Sequence, residues 1–334
     1  MQSINNKNIL PWQTKQWRLL WEAKKNNRLP HALLFTGALG LGKMRFAEEF
    51  SAALLCDSPV AEENACGTCH ACGLVRAKSH PDLILVVPDE TGQVIKIDQI
   101  RSVVSASNET AMQGGYRIII INPAHAMNQY AANALLKTLE ETTPKTLFIL
   151  MSEQNLRLPL TIKSRCQKIA FQKPIRQIAL TWLRSQLASS EIDVELLLNI
   201  AEGAPLQALA LVEKGVLNLR QTIYHGLSEL SQGKADPLHL AVQWQEHDMV
   251  VLFNLLLNWL RDLLRLQLTK QQAALVNYDY QAVFLNLTQK LSRKNLLHYL
   301  TLVQERYANM LNLQNLNRQL LLEELLIGWR SIYA

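Results

Sequence analysis

The chain has 334 residues, 49% hydrophobic and 19% charged, with a formal net charge of +6. That length favours two or three domains, and the composition is ordinary for a soluble globular protein. Residues 1–11 are polar and lack the charged-then-apolar layout of a secretion signal, and the apolar stretch 250–260 is interrupted by Asn254 and Asn258, so neither export nor a membrane span is expected.

The first helix is predicted at 14–25, where Trp17, Leu20 and Trp21 form an apolar face and Asn26, Asn27 and Pro30 end it. Residues 31–35 read as a buried strand feeding a glycine-rich turn at 37–42 and a helix at 43–55. After a cysteine cluster, 83–87 reads as a second strand, 97–105 as a helix, and 117–121, with four consecutive isoleucines, as a third strand. A helix at 131–141 and strands at 147–151 and 167–171 follow. Continuously apolar strands separated by helices imply a parallel sheet covered on both faces. Residues 1–171 are therefore expected to form an α/β domain.

Beyond it strand signals fade. Helices at 175–187, 194–201 and 208–212 suggest a small helical domain over 172–212. In 213–334, Leu252, Leu256, Trp259, Leu263 and Leu266 fall on one face of a long helix, and Leu322, Leu325, Leu326 and Trp329 on one face of the last helix. This part is expected to be an all-α bundle.

Residues 37–44, GALGLGKM, match the phosphate-loop pattern G-x-x-x-x-G-K, with Met44 where Ser or Thr is expected. Gly37, Gly40 and Gly42 would let backbone N–H groups face phosphates, and Lys43 would add a point charge at the start of a helix. A tight strand-to-helix turn that binds nothing is the competing reading. Met44 offers a thioether, a poor ligand for Mg²⁺. Nucleotide-hydrolysing P-loop proteins also end a strand with Asp-Glu. Here the strand ends in Asn122-Pro123, which supplies neither a strong metal ligand nor a proton acceptor. ATP or ADP binding by this chain is thus in doubt, and no catalysis of its own is expected. Ser152 reads as a strand-terminating serine in preference to a remnant nucleotide sensor. Lys24, Lys25 and Arg28 read as a solvated helix end.

Five cysteines in a reducing compartment point to metal or free thiols. Cys56, Cys66, Cys69 and Cys72 include two overlapping C-x-x-C knuckles, which direct thiolates at one ion. Four thiolates close a tetrahedral zinc site, structural and not catalytic. Four reduced thiols in a core are the alternative, and His70 or His80 could replace one ligand. A redox pair lacks a thioredoxin-like surround, and a DNA-reading finger lacks its paired histidines.

These residues resemble a family. GALGLGKM, the CGTCHACG insertion followed by His80-Pro81-Asp82, the segment Asn133–Glu141 (NALLKTLEE) and Ser164-Arg165-Cys166 occur in this order in bacterial clamp-loader subunits of DNA polymerase III, and the resemblance spans about residues 28–330. It implies an AAA-type P-loop domain with a zinc insertion, a small helical domain and a helical collar ending in the helix 317–329. Missing Ser/Thr and Asp-Glu, with Leu206 where active members place a sensing arginine after Gly203-Ala204-Pro205, imply a non-hydrolysing stator. The resemblance also implies that Arg165 reaches in trans to the γ-phosphate of a neighbouring subunit. Lys137, Glu140 and Glu141 read as a solvated helix face. Implied partners are ATPase subunits of gamma/tau type and a delta-type subunit, with the sliding clamp and primed DNA met through the complex, in the cytoplasm. The rivals are an ATP-hydrolysing motor subunit, a nucleotide kinase and a zinc-dependent nucleic-acid-binding module.

Overall fold

The computed structural model describes residues 9–60, 63–89, 94–113, 115–141, 143–153, 158–187, 192–269, 275–312 and 317–332. Residues 1–8 of the polar N-terminal segment lie outside that set. The chain divides into two compact units, Met1–Ile178 and Ala179–Ala334.

The first unit runs α1 (Thr14–Lys25), β1 (Ala32–Thr36), α2 (Lys43–Leu55), α3 (His70–Arg76), β2 (Leu83–Val86), α4 (Ile97–Ser107), β3 (Arg117–Ile121), α5 (Gln129–Glu140), β4 (Thr146–Ser152), α6 (Leu160–Lys163) and β5 (Gln167–Ala170). The five strands form one parallel sheet in the order β2-β3-β4-β1-β5. Alternation along each strand divides the side chains between two faces. Leu34, Ile119, Ile121, Phe148 and Leu150 pack with Ile100 and Val103 of α4 and Leu135 and Leu139 of α5. On the other face Phe35 packs against Phe46 and Phe171, and Trp17 meets Phe46 and Phe50 edge-on.

Because β4 lies between β1 and β3, its carboxyl end stands between the loop after β1 and the residues after β3. This topology positions the candidate site, as expected at the carboxyl ends of strands in an open parallel sheet. Near the sheet edge, the buried Asp82 accepts from the Met112 and Gln113 N–H groups at 2.9 and 3.1 Å and from Arg117 Nη2 at 3.1 Å. Arg117 is buried as well and also donates to the Glu109 and Thr110 carbonyls.

The second unit is helical: α7 (Arg176–Gln186), whose first turn precedes the boundary, then α8 (Val194–Ile200), α9 (Pro205–Glu213), α10 (Val216–Ser231), α11 (Pro237–Trp244), α12 (Met249–Thr269), α13 (Gln281–Lys290), α14 (Arg293–Asn312) and α15 (Arg318–Ser331). Both leucine faces read from the sequence are buried in its core, Leu252 to Leu266 on α12 and Leu322 to Trp329 on α15. Trp329 Nε1 donates to the Leu227 carbonyl at 3.1 Å, and the Tyr299 hydroxyl donates to the Leu325 carbonyl at 2.8 Å. Buried aromatic side chains commonly satisfy their polar tips in this way. Arg220 is fixed by Asn277 and Asp279 and lies over the Tyr280 ring. Among the described residues no single helix is long and apolar enough to cross a membrane.

Candidate phosphate loop, thiolate cluster and exposed arginine

The phosphate-loop sequence forms a strand-turn-helix, with β1 ending at Thr36 and α2 beginning at Lys43. Gly37 has φ +144°, and a Cβ there would lie 2.3 Å from the Phe171 carbonyl oxygen, so only glycine fits between the loop and the end of β5. Gly40 and Gly42 are also left-handed. The loop's carbonyls are gripped from upstream. Gln13, fully buried, donates through Nε2 to the Leu41 and Gly42 carbonyls at 2.9 Å each, and Trp12 Nε1 donates to Leu41 at 3.1 Å.

Lys43 is 5% exposed, and its charge is met inside the chain. Nζ donates to the Gly37 and Ala38 carbonyls at 2.9 and 2.8 Å and pairs with Glu153 Oε1 at 3.0 Å. Glu153 follows the last residue of β4, and its other oxygen lies 3.9 Å from His125 Nδ1, which is 3.2 Å from the Ser152 hydroxyl. Asn122 and Pro123 follow β3, so that position carries no acid. A carboxylate nevertheless reaches the loop, from β4. No local motif marks Glu153, His125 or Gln13: strand order brings Glu153 to Lys43 and His125 to Glu153, and the chain's return brings Gln13 to the loop. Met44 lines a cavity of about 360 Å³ with Glu48, Ala52, Leu85 and Ile120. In the second unit, the Gly203-Ala204-Pro205 stretch is the turn into α9, with Pro205 at its first position and the half-buried Leu206 next.

The four cysteines converge. Cys56 ends α2, Cys69 caps α3 by accepting from the Cys72 N–H, and Cys72 lies within α3. Their four Sγ atoms lie within 4.8 Å of one another, with Cys56–Cys69 at 3.8 Å and Cys66–Cys72 at 3.9 Å. Tetrahedral zinc with Zn–S bonds of about 2.3 Å separates its sulfurs by about 3.8 Å, so the donor set fits that ion. Backbone N–H groups of Cys66, Cys69 and Cys72 point at sulfurs at 3.3–3.4 Å, an arrangement that favours thiolates. The Thr68 hydroxyl and backbone N–H groups bring the Cys66 thiol down to about 6, whereas burial raises Cys56 and pushes Cys72 up to about 12. His80 is not part of this group among the described residues; its Nδ1 accepts from the Asp82 N–H at 3.1 Å.

Ser164-Arg165-Cys166 closes α6. Ser164 Oγ donates to the Thr161 carbonyl at 3.0 Å, and Cys166 sinks into the core, where burial pushes its thiol up to about 12. Arg165 between them keeps its side chain at the surface. Its Nε donates to Glu140 Oε1 at 2.6 Å, Nη2 donates to the same oxygen, and Nη1 donates to the Thr161 carbonyl at 2.9 Å. Glu140, read from sequence as solvated, therefore has a defined partner. Lys25 likewise pairs with Glu63 at 2.9 Å, and Lys24 lies over the Trp21 ring.

The family described as DNA polymerase III, delta subunit, matches residues 12–175, and that described as DNA polymerase III, delta subunit, C terminal, matches residues 214–331. The DNA polymerase III subunit delta′ of Pseudomonas aeruginosa is 37% identical to this chain over 97% of it and 98% of its own length. The subunit of that name from Escherichia coli K12 is 30% identical over 95% and 94%, respectively. The DNA polymerase III subunit tau of Bacillus subtilis is 31% identical over 60% of this chain and 36% of its own.

Proposed function

The chain belongs to the delta-prime family of DNA polymerase III subunits, and from that premise we propose that it is the non-hydrolysing stator of a clamp-loader complex. The observation that carries this reading is the pairing of Lys43 with Glu153. The cation that would meet a triphosphate is already neutralised within the chain, Met44 replaces the Mg²⁺-binding hydroxyl, and Asn122-Pro123 replace the acidic pair. Nucleotide would have to displace a carboxylate from a nearly buried ammonium, which costs affinity.

In this reading Arg165 is donated across a subunit interface to a γ-phosphate held by a gamma/tau-type neighbour. Guanidinium suits that task because it is planar, permanently charged and donates in parallel pairs. Such arginines contribute roughly 10³- to 10⁵-fold to phosphoryl transfer. Zinc held by Cys56, Cys66, Cys69 and Cys72 has a structural role. Residues 172–212 and 213–334 act as a small helical domain and a collar. The collar meets the other subunits, including the delta-type one, through exposed apolar side chains such as Leu320 and Ile327 on α15 and Leu238 and Val242 on α11. The assembly places the sliding clamp on primed DNA in the cytoplasm.

A second reading is favoured by Glu153 itself: a carboxylate beside the loop serves as base in an ATP-hydrolysing motor subunit. One experiment separates the two. The purified chain should show no ATP turnover above background, unchanged in Lys43→Ala and Glu153→Gln. Turnover at a rate typical of a working motor, lost in either variant, would install the second reading.

A further inference from the structure

We propose that Glu140 is a positioning residue for Arg165, holding its guanidinium so that one N–H on each terminal nitrogen remains available to a phosphate. This rests on the reading of Arg165 as a finger in trans. The guanidinium carries five N–H groups. Glu140 Oε1 accepts one from Nε and one from Nη2, and the Thr161 carbonyl accepts one from Nη1. Those three bonds account for all of the group's partners among the described residues. One hydrogen is left on Nη1 and one on Nη2, the pair that two phosphate oxygens accept in parallel.

The two supports come from different elements, and each sits beside a residue buried in the same core. Glu140 is the last residue of α5, whose Leu135 and Leu139 are buried under the sheet. Thr161 lies in α6 next to Ile162, which is in the same core, and its carbonyl also accepts from the Ser164 hydroxyl at 3.0 Å. Cys166 anchors the main chain just after the arginine. The guanidinium is thus braced at two points, although its side chain stays partly in solvent.

An exposed carboxylate–arginine pair contributes little to folding. Its value here is orientation. A long flexible arginine loses side-chain freedom when it engages a phosphate, and bracing it beforehand removes part of that cost from the encounter. A small misplacement of a reacting group costs up to ~10²-fold in rate.

The test uses the reconstituted complex, with its ATPase measured for Glu140→Ala, Glu140→Gln, Arg165→Ala and the double variant Glu140→Ala/Arg165→Ala. Size-exclusion chromatography checks that each assembles. Glu140→Ala should lose roughly half or more of the activity that Arg165→Ala loses, in kcat, with KM for ATP changed by less than about two-fold. Glu140→Gln keeps the accepting oxygen and should retain more than Glu140→Ala. The double variant should match Arg165→Ala alone. Wild-type kcat in Glu140→Ala beside an impaired Arg165→Ala overturns the positioning role and leaves the finger standing. Wild-type kcat in Arg165→Ala removes the finger reading itself. A double variant slower than Arg165→Ala gives Glu140 a separate task and also overturns the proposal.

Discussion

Lys43 Nζ and Glu153 Oε1 meet at 3.0 Å, so the lysine of the phosphate loop is paired with a carboxylate that the same chain brings in from the end of β4. Glu153→Ala should leave Lys43 with only carbonyl partners in a nearly buried position. The variant is then expected to gain measurable affinity for ATP or ADP by calorimetry, while wild type and the double variant Lys43→Ala/Glu153→Ala show none. Hydrolysis should remain absent, because Met44 and Asn122-Pro123 are unchanged. Wild type binding nucleotide as tightly as Glu153→Ala would remove the blocking role of this pair.

The thiolate cluster predicts metal content and its structural consequence. Elemental analysis should find one zinc per chain. Chelation should lower the thermal midpoint of the first unit, because the ion would join the end of α2 to both ends of α3's first turn and structural zinc contributes folding free energy directly. Cys69→Ala should lose both the zinc and the cap on α3. Stoichiometry well below one, with a melting curve indifferent to chelator, would refute the assignment.

Asp82 and Arg117 predict an acid-sensitive fold. Burial by itself raises the Asp82 carboxyl, but the Met112 and Gln113 N–H groups and Arg117 outweigh it and hold the group below its ordinary range. A carboxyl lowered in the folded state contributes stability above its unfolded pKa of about 3.9 and loses that contribution as pH falls through the folded value. Resistance to denaturant should therefore fall below about pH 4, with a shallower slope in Asp82→Asn. Arg117→Ala, which leaves a buried carboxylate unpaired, should cost about 3–5 kcal/mol at neutral pH. A loss near zero would mean that solvent reaches Asp82.

Gly37→Ala tests the close approach of the loop to β5. The new Cβ would fall 2.3 Å from the Phe171 carbonyl oxygen at a φ that side chains rarely adopt. Backbone strain of this kind costs roughly 1–3 kcal/mol before the clash is counted. The measurable outcome is a lower unfolding midpoint with no gain in nucleotide affinity. An unchanged midpoint would show that the end of β5 yields freely.

Much of the first unit was legible because its signals are local. The paired tryptophans gave α1, the glycines and Lys43 marked the start of α2, and four isoleucines marked β3; all three elements have the bounds read from the sequence. The helix of α3 was hidden inside the cysteine cluster, where ligand spacing dominates the pattern. Glu153 and Gln13 were illegible for a different reason. Their partners lie across strand order or chain return, and a single sequence carries no trace of which strand lies beside which. Glu140 looked like a solvated carboxylate because α5 periodicity places it outward, and only the fold brings Arg165 to it. In the second unit the leucine faces were correctly read as helical, and they fill the core. Leu320 and Ile327 of α15 stay exposed, and no periodic stripe in the sequence announced them.

The Gln13 amide has a consequence for how the loop is maintained. Many anion-binding turns owe their order to the anion they hold. This one is moored by a side chain that arrives before α1 and takes the Leu41 and Gly42 carbonyls. The turn is consequently furnished with its own scaffold, and trimming the chain past Gln13 should loosen it as surely as withdrawing a ligand loosens a working nucleotide site.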